Sequence, residues 1–261
     1  MSINNNTVYL GYGADKVTTT TSLGRALGTR GETPDGRIFY WSFSGEAIGA
    51  GQLTMERAGI ADDDMDLVIQ AARAVGDSTI AVTLGSTGVT IDEYGDGYIY
   101  INDGAGEGHL YRIAPAGVGG TAGQAHAAAD GSATLTVTLA GGEVVREVLA
   151  TADSLAGLMS NAYKDCEVYD FDDIDGIAVG VAPTEIADNT YFWNQTSGLA
   201  NCLMDATTFV LGSAVEASDS VDGAMTLHDT SVNQDRKALG VVSLIVAATG
   251  DSGLVDLSIR A

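Results

Sequence analysis

Short apolar runs recur along the chain, separated by Asp-Gly pairs or other glycine-rich segments. Within these runs apolar residues either alternate with polar ones or are continuous, which is typical of β-strands. Six Asp-Gly pairs punctuate the pattern, and their glycines readily adopt the positive φ that tight turns need. The pattern predicts strands at Arg37–Phe43, Leu67–Gln70, Thr79–Leu84, Gly97–Asn102, Gly108–Ile113, Ala133–Leu139, Glu143–Leu149, Gly176–Ala182, Thr190–Gln195, Leu199–Met204, Gly223–Leu227, Leu239–Ala247 and Gly253–Ile259.

Few segments show the period of about 3.6 residues that marks an amphipathic helix. Leu53–Ile60 is predicted to form two helical turns, and Ser154–Tyr163 a short helix with Asp153 or Ser154 as its N-cap. The predicted fold class is therefore all-β, mainly antiparallel barrel or sandwich elements, with an extended N-terminal arm and at most one or two short helices.

Shifts in composition divide the chain into five predicted parts. The first segment is rich in Gly, Thr and Asn and has no sustained period. The Gly/Ala-rich stretch Ala114–Ala129 is interpreted as an exposed loop or a seam between subdomains. The parts are an N-terminal arm (1–36), a first β-element packing with the C-terminal domain (37–72), a middle β-domain (73–150), a short helical connector (151–165) and a C-terminal β-domain (166–261).

Charge is distributed unevenly along the chain. The whole sequence has 12 Lys and Arg against 35 Asp and Glu, which excludes nucleic acid as a partner of the bulk of the protein. Residues 1–37, in contrast, hold four cations and three acids. This segment is either a frayed terminus or, as we favour, an arm that orders on a partner through main-chain hydrogen bonds and cationic contacts. Deleting residues 1–36 is then predicted to leave a folded protein that no longer binds. The cations are Lys16, Arg25, Arg30 and Arg37.

The sequence predicts neither a membrane-spanning segment nor a secretory signal. The longest nearly apolar run, Ala238–Ala248, is eleven residues long, well short of the roughly 20 that cross a bilayer. The N-terminus lacks the basic and apolar regions of a secretory signal. The two cysteines, Cys166 and Cys202, are interpreted as buried thiols, with a disulfide between them as the alternative.

Aromatic residues concentrate in two segments predicted to be strands, residues 39–43 and 191–193. Alternation places Tyr40 and Trp41 on opposite faces of the first strand. Such runs usually anchor a β-core, but they can also form a surface for sugar stacking or subunit binding. Tyr40 and Trp41 are therefore candidate interface residues together with the four cations.

No pattern typical of a catalytic, cofactor or metal site is found. The glycine-rich loop Asp103–Gly108 has the wrong glycine spacing for a nucleotide site and is followed by a predicted strand. The acidic clusters Asp62–Asp66 and Asp170–Asp175 are interpreted as solvated loops, with weak calcium binding as the alternative. The histidines lack metal-ligand spacing, and no Gly-x-Ser-x-Gly motif occurs. We predict no enzyme activity, no cofactor and no small-molecule substrate.

The chain resembles the capsid decoration, or cement, proteins of tailed phages, particularly those of marine phages. The middle region, residues 73–150, makes it longer than the compact members of that group. The similar segments are Gly28–Arg30, Pro34–Tyr40, Ala50–Leu53, Gly97–Gly108, Tyr111–Ile113, Gly180–Pro183, Tyr191–Trp193 with Gln195, Thr196 and Gly198, Lys237–Val242 and Gly253–Leu257.

The resemblance implies a β-rich virion protein that is made in the bacterial cytoplasm and joins the outer surface of the capsid. Its implied partners are the major capsid protein and two further copies of itself in a homotrimer. Three alternatives stay open at the level of sequence: a tail or fibre-associated virion protein, a carbohydrate-binding module that uses Trp41 or Trp193, and a polysaccharide hydrolase with paired carboxylates.

Overall fold

The computed structural model describes residues 7–115, 125–151, 153–172, 176–205, 209–228, 237–244 and 250–259. Their regular structure is nearly all β-strand, so the predicted all-β class is confirmed. None of the helices in these ranges is long and apolar enough to cross a membrane. The strands are β1 (Val8–Tyr9), β2 (Arg30–Glu32), β3 (Ile38–Phe43), β4 (Leu53–Met55), β5 (Leu67–Val68), β6 (Thr79–Thr83), β7 (Tyr98–Asp103), β8 (Leu110–Arg112), β9 (Thr134–Thr138), β10 (Leu155–Met159), β11 (Glu167–Val168), β12 (Ala178–Val181), β13 (Tyr191–Leu203), β14 (Ala214–Ala217), β15 (Met225–Leu227), β16 (Gly240–Leu244) and β17 (Ser252–Ser258).

The chain forms two compact units. Unit 1 combines Met1–Arg57 with Ala162–Ala261, and unit 2 is the continuous segment Ala58–Asn161. The predicted middle domain, 73–150, therefore falls short of unit 2 at both ends. Composition does not mark these boundaries, because strands from both ends of the sequence share one sheet in unit 1.

The thirteen-residue strand β13 organises the sheet of unit 1. Its first half pairs with β3 and its second half with β17, both antiparallel. The sheet order is β1-β2-β3-β13-β17-β16-β14-β15, with β4 linking β11 and β12 at its side. The two strands predicted at Thr190–Gln195 and Leu199–Met204 are thus the two halves of one strand, whose register shifts between Gln195 and Ser197.

The predicted N-terminal arm is corrected by the structure: its described part, residues 7–36, packs into unit 1. Strand β1 runs parallel to β2, and β2 pairs antiparallel with β3. Leu10 and Leu27 are buried in the aromatic core. A Cβ atom at Gly31 would lie 2.8 Å from the Trp193 ring, so the backbone approaches that ring closely. Strands of two or three residues are too short to show a period, which is why the sequence pattern missed them.

Unit 2 has a contiguous fold built from two small antiparallel sheets. One has the order β5-β10-β7-β8, and the other pairs β6 with β9. Alternate residues of β7, among them Ile99 and Ile101, point into a mostly aliphatic core. Tyr100 is on the opposite face of β7 and lies over Gly157 of β10, where a Cβ atom would be 2.6 Å from its ring.

Neither predicted helix forms, and each of the two segments contains a strand instead. Leu53–Met55 forms β4, whose three side chains are all buried, and Leu155–Met159 forms β10 within the predicted connector. Pairing with neighbouring strands overrides local helix propensity in both places. The predicted strand Glu143–Leu149 is also wrong: it forms no strand, although Leu149 makes an isolated bridge to Arg73. Most of the predicted loop Ala114–Ala129 lies outside the described residues.

Candidate protein-docking site

The six predicted interface residues all belong to unit 1. The pairing of β2 with β3 places Arg30 directly opposite Tyr40. The six lie at the end of a 3₁₀ helix (Lys16), in the turn before β2 (Arg25), at the start of β2 (Arg30), before β3 (Arg37) and within β3 (Tyr40, Trp41).

The aromatic residues form the core of this region. Trp41 lies opposite Trp193 in the β3–β13 register, and their ring centroids are 4.9 Å apart. Trp41 also stacks on Tyr191 at 5.9 Å and an interplanar angle of 10°. Trp41 is 0% exposed and Trp193 is 2% exposed. The prediction that these segments anchor a β-core is confirmed, and the suggestion that either tryptophan offers a flat platform to a sugar is wrong.

Arg25 lies over the two indoles. Its guanidinium carbon is 5.3 Å from the ring centroid of Trp41 and 5.6 Å from that of Trp193, within the range of cation–π attraction. The buried Nε1 of Trp41 has no hydrogen-bond partner within the described residues. A buried indole N–H without an acceptor costs free energy, because it has lost its hydrogen bonds to water.

A strained turn presents Arg25. The backbone N–H of Arg25 donates to the carbonyl of Ser22 at 2.9 Å, closing a turn whose central residues are Leu23 and Gly24. Both have positive φ, 53° at Leu23 and 69° at Gly24. A leucine in this conformation is uncommon, and Leu23 is also 54% exposed. The turn therefore holds a bulky apolar side chain in solvent next to Arg25.

The other cations differ in how far the fold neutralises them. Arg30 pairs with Glu32 at 2.8 Å, and Arg37 pairs with the buried Asp15 at 3.2 Å. Both arginines therefore have structural partners. Lys16 is exposed and makes no ion pair with another described residue. Among the predicted contacts, Lys16 and Arg25 are the cations that a docking partner could use without breaking an ion pair.

Exposed apolar side chains in the same segment were missed at the level of sequence. Tyr9 is 83% exposed, Tyr12 74%, Val17 49% and Leu23 54%. All four lie within fifteen residues of the sequence, so we treat them as candidate contacts for a partner. No periodic signal identifies them, because the segment has almost no regular structure; only the local excess of tyrosine and leucine over acids could have indicated them. These four residues with Lys16 and Arg25 are hereafter the docking segment.

The first acidic cluster is divided among separate partners. Three of its four carboxylates bind different parts of unit 2: Asp62 accepts from the Thr87 N–H at 3.0 Å, Asp63 from the Tyr94 hydroxyl at 2.8 Å, and Asp66 from the Asn102 amide at 2.6 Å. Within the described ranges no three acidic, histidine or cysteine residues are arranged to hold a metal ion. Asp173 and Asp175 of the second cluster lie outside those ranges.

Both cysteines are free and buried, as predicted. Cys166 packs in the aromatic core of unit 1, whereas Cys202 packs in the second apolar core of the same unit. Burial raises the pKa of the Cys202 thiol to about 12, so this thiol stays protonated and unreactive at neutral pH.

No protein-family model, curated protein or solved structure matches the chain. Function is therefore inferred from the chemistry of the docking segment and from the residue patterns already described. That segment offers apolar contact area together with two cations that have no carboxylate partner among the described residues. Such a combination is suited to binding another protein.

Proposed function

We propose that the chain is a structural protein of a phage virion, which binds the outer surface of the capsid and stabilises neighbouring subunits of the major capsid protein. It acts by binding, as a homotrimer, through the docking segment of unit 1. The observation that carries the proposal is the exposure of Tyr9, Tyr12, Val17 and Leu23 beside Lys16 and Arg25 in an otherwise acidic protein. The resemblance to decoration proteins supplies the identity of the partner.

The charge distribution supports an oriented attachment. Residues 38–261 hold eight cations and 32 acids, so the body repels other acidic surfaces, including other virions. The docking segment lies in the region where cations slightly outnumber acids. A protein of this kind binds with its N-terminal region against the shell and leaves its acidic body in solvent.

The packed docking segment changes the mechanism expected from the sequence. An extended arm would gain main-chain hydrogen bonds over a long path, whereas β2 already uses its hydrogen bonds on β3. Affinity then comes from side chains: burying an exposed large apolar side chain contributes about 1.5–3 kcal/mol. Four such side chains contribute a favourable term of the same order as the entropy cost of association, so docking also needs the polar contacts of Lys16 and Arg25.

The test is cosedimentation of the purified full chain with empty heads assembled from the cognate major capsid protein. We expect saturable binding and an increase in the temperature at which the heads disrupt. The triple variant Tyr9→Ser, Tyr12→Ser and Leu23→Ser should weaken binding by at least about a hundredfold, since three apolar contacts are removed.

The matched control removes exposed apolar side chains from the opposite end of the unit 1 sequence. Leu199 is 49% exposed and Leu244 is 56% exposed, so Leu199→Ser with Leu244→Ser changes the surface comparably without touching the docking segment. This variant should bind heads like the native chain. Absence of binding by the native chain would overturn the capsid assignment, and binding to isolated tails instead would identify a tail component.

A further inference from the structure

We propose that His126 is an acid-sensitive switch in unit 2: the fold holds its imidazole neutral, so protonation of the ring weakens the fold of this unit. The inference concerns unit 2 alone and does not depend on the function proposed for the docking segment of unit 1. It rests on the hydrogen bonds of the imidazole, on the burial of the ring and on the segments that the ring connects.

Both ring nitrogens of His126 are hydrogen-bonded, and their partners fix which nitrogen carries the hydrogen. The backbone N–H of Tyr94 donates to Nε2 at 2.9 Å, so Nε2 is an acceptor and carries no hydrogen. Nδ1 lies 3.1 Å from the carbonyl oxygen of Ala127, which can only accept, so Nδ1 carries the hydrogen. Turning the ring over would place carbon atoms against both partners. The contacts therefore require the neutral Nδ1–H tautomer.

The ring has little access to water. His126 is 3% exposed, and Tyr94, whose N–H it accepts, is 1% exposed. A protonated imidazole has a hydrogen on both nitrogens, so protonation would place the Nε2–H of His126 against the N–H of Tyr94. The Tyr94 N–H would then be buried without its acceptor, beside a buried cation. Protonation is therefore incompatible with the folded arrangement around His126.

The imidazole connects two segments that are more than thirty residues apart in the sequence. The backbone N–H groups of Ala125 and His126 donate to Oδ1 of Asp92, at 2.7 and 3.4 Å. These bonds hold the segment of His126 against the turn that contains Tyr94. The Tyr94 hydroxyl in turn donates to the buried Asp63 at 2.8 Å, and its ring belongs to the core of unit 2. Loss of the bond to Nε2 thus releases the backbone that positions a core side chain.

The charged groups around the ring act against this effect. Their negative charge favours protonation of a nearby imidazole. The opposing requirement is stereochemical, since an imidazolium cannot accept from the Tyr94 N–H whatever the charges around it, and we expect this requirement to decide the sign. Residues 116–124, which lie outside the described residues, contain no titratable side chain. The titratable groups on the elements that surround His126 are Asp92, Glu93, Tyr94 and Asp96 in the turn, Arg112 in β8, which pairs with Asp96, Asp63 beyond the Tyr94 hydroxyl, and Asp130 in the segment of His126 itself.

His228 of unit 1 is bonded in the opposite way. Its Nδ1 lies 2.5 Å from Oε2 of Glu216, which is 0% exposed, so a protonated ring there has a carboxylate partner. Acid is therefore expected to weaken unit 2 while unit 1 stays folded.

Hydrogen exchange of the full chain measures the effect on unit 2. A histidine in an unfolded chain binds its proton at about pH 6.5, whereas the folded unit excludes it. Because the unfolded state binds more protons, the stability of unit 2 falls as the pH decreases through this value. The protection factors of the β7 and β10 amides, corrected for the intrinsic exchange rate at each pH, should fall about tenfold between about pH 7.5 and 5.5. Tryptophan emission, which reports unit 1, should stay native.

Two histidine variants show whether His126 is the group that titrates. His126→Gln removes the titrating ring and supplies an amide oxygen as an acceptor, so its protection factors should no longer depend on pH in this range. The matched control is His109→Gln, because His109 also belongs to unit 2 but its side chain is 32% exposed, and this variant should retain the fall. A fall that persists in His126→Gln, or no fall in the native chain, would overturn the proposal.

The tautomer tests the proposal in the native chain, where no variant has to fold. A long-range ¹H–¹⁵N correlation spectrum of the labelled full chain at neutral pH distinguishes a ring nitrogen that carries a hydrogen from one that does not. We expect the hydrogen of His126 on Nδ1 and none on Nε2. A hydrogen on Nε2 would show that the ring does not accept from Tyr94, and the proposal would then be wrong.

Discussion

Both units are all-β, but they differ in how far apart along the chain their paired strands lie. In unit 1, β3 from the beginning of the chain pairs with β13 from its last third, and β13 pairs with β17 near the end. In unit 2, every named strand pair lies between residues 58 and 161. Pairing between distant segments has a larger loop-closure cost. Unit 1 therefore depends on segments that unit 2 does not need, and the docking segment is one of them.

Two buried carboxylates, one in each unit, are satisfied in different ways. In unit 1, Asp15 is 2% exposed and pairs with the cation of Arg37 at 3.2 Å. In unit 2, Asp63 is 0% exposed and accepts from two neutral donors, the Tyr94 hydroxyl at 2.8 Å and the Gly85 N–H at 2.9 Å. Burial and the hydrogen bond to Asp63 raise the pKa of Tyr94, so the hydroxyl stays a donor. Neutral donors thus do for Asp63 what an ion pair does for Asp15, whereas the buried Asp96 of unit 2 has the cation of Arg112 at 3.1 Å.

Deleting residues 1–36 should have the largest effect and should separate the units most clearly. The deletion removes β1, β2 and the buried Leu10 and Leu27, so β3 loses one of its two neighbouring strands. Unit 1 is therefore expected to unfold, contrary to the behaviour of a detachable arm. Both tryptophans, Trp41 and Trp193, belong to unit 1, so a red shift of tryptophan emission reports its unfolding alone.

Hydrogen exchange measures whether unit 2 stays folded in the same deletion variant. Amides of β7 and β10 should keep their protection, because their pairing lies within unit 2. Truncation of residues 1–6, which retains β1 and β2, is the control and should leave the emission unchanged. Native tryptophan emission after deletion of residues 1–36 would show that the N-terminal strands are dispensable to unit 1.

Removing the buried carboxylate of unit 2 should have the next largest effect. Asp63→Ala leaves the Tyr94 hydroxyl and the Gly85 N–H without an acceptor, which should lower the free energy of unfolding by about 3 kcal/mol. Exchange of the β7 amides should accelerate correspondingly, while tryptophan emission stays native.

A double variant distinguishes this network from simple loss of packing. Tyr94→Phe removes the orphaned hydroxyl, so Asp63→Ala combined with Tyr94→Phe should be less destabilised than the sum of the two single variants, by about 1 kcal/mol. Strict additivity would mean that the bond between Asp63 and Tyr94 contributes nothing. The control is Asp77→Ala, since the Asp77 carboxylate accepts from the backbone N–H of Ala74, three residues away in the same loop.

Breaking the ion pair of unit 1 should have a smaller effect. Arg37→Gln leaves Asp15 buried without its cation and also removes the contact of Arg37 with the Phe39 ring at 5.5 Å. Because the Arg37 side chain is 21% exposed and solvent screens the pair, the expected loss is about 1–2 kcal/mol. Urea unfolding followed by tryptophan emission measures it. Adding Asp15→Asn should restore part of the loss, and a further loss instead would show that the pair is not coupled.

The sequence was most informative where strands were long and alternating. The strand predicted at Gly97–Asn102 is β7, because the period of two in its tyrosines and isoleucines follows directly from strand geometry. The sequence was least informative where a structure depends on a distant partner. Nothing local distinguishes Leu155–Met159 as a strand, since its pairing with β7 and the close contact of Gly157 with Tyr100 exist only in the folded unit.

Only part of the candidate docking site could be predicted from the sequence. Charge counting identified the N-terminal segment and Arg25, and alternation identified Trp41. The sequence could not show that Arg30 and Arg37 form ion pairs while Arg25 contacts aromatic rings. Ion pairing depends on which carboxylates lie nearby in the folded chain. The exposed Leu23 was also hidden, since a positive φ at a leucine is set by the surrounding turn and not by its own preference.

The smallest expected effect concerns pH and compares two neighbouring carboxylates of unit 2. Hydrogen bonds from Ser86 and Thr87 lower the pKa of Asp62 from 3.8 to about 2. A carboxyl whose pKa is lower in the folded state stabilises the fold above its unfolded pKa, and that stabilisation is lost as the pH falls toward 2. Asp62→Asn should therefore lower the melting temperature at pH 7, and the difference from the native chain should close between about pH 4 and 2.

Asp64 should behave in the opposite sense, because burial and the neighbouring Asp63 raise its pKa. Its ionised form destabilises the fold at neutral pH, and protonation relieves this as the pH falls through the raised pKa. Asp64→Asn should then raise the melting temperature at pH 7 and lose that advantage in acid. Since the two residues belong to one acidic run, opposite signs would establish that each carboxylate is set by its own partners. A change of melting temperature in the same direction for both variants would mean that the acidic run acts through its total charge.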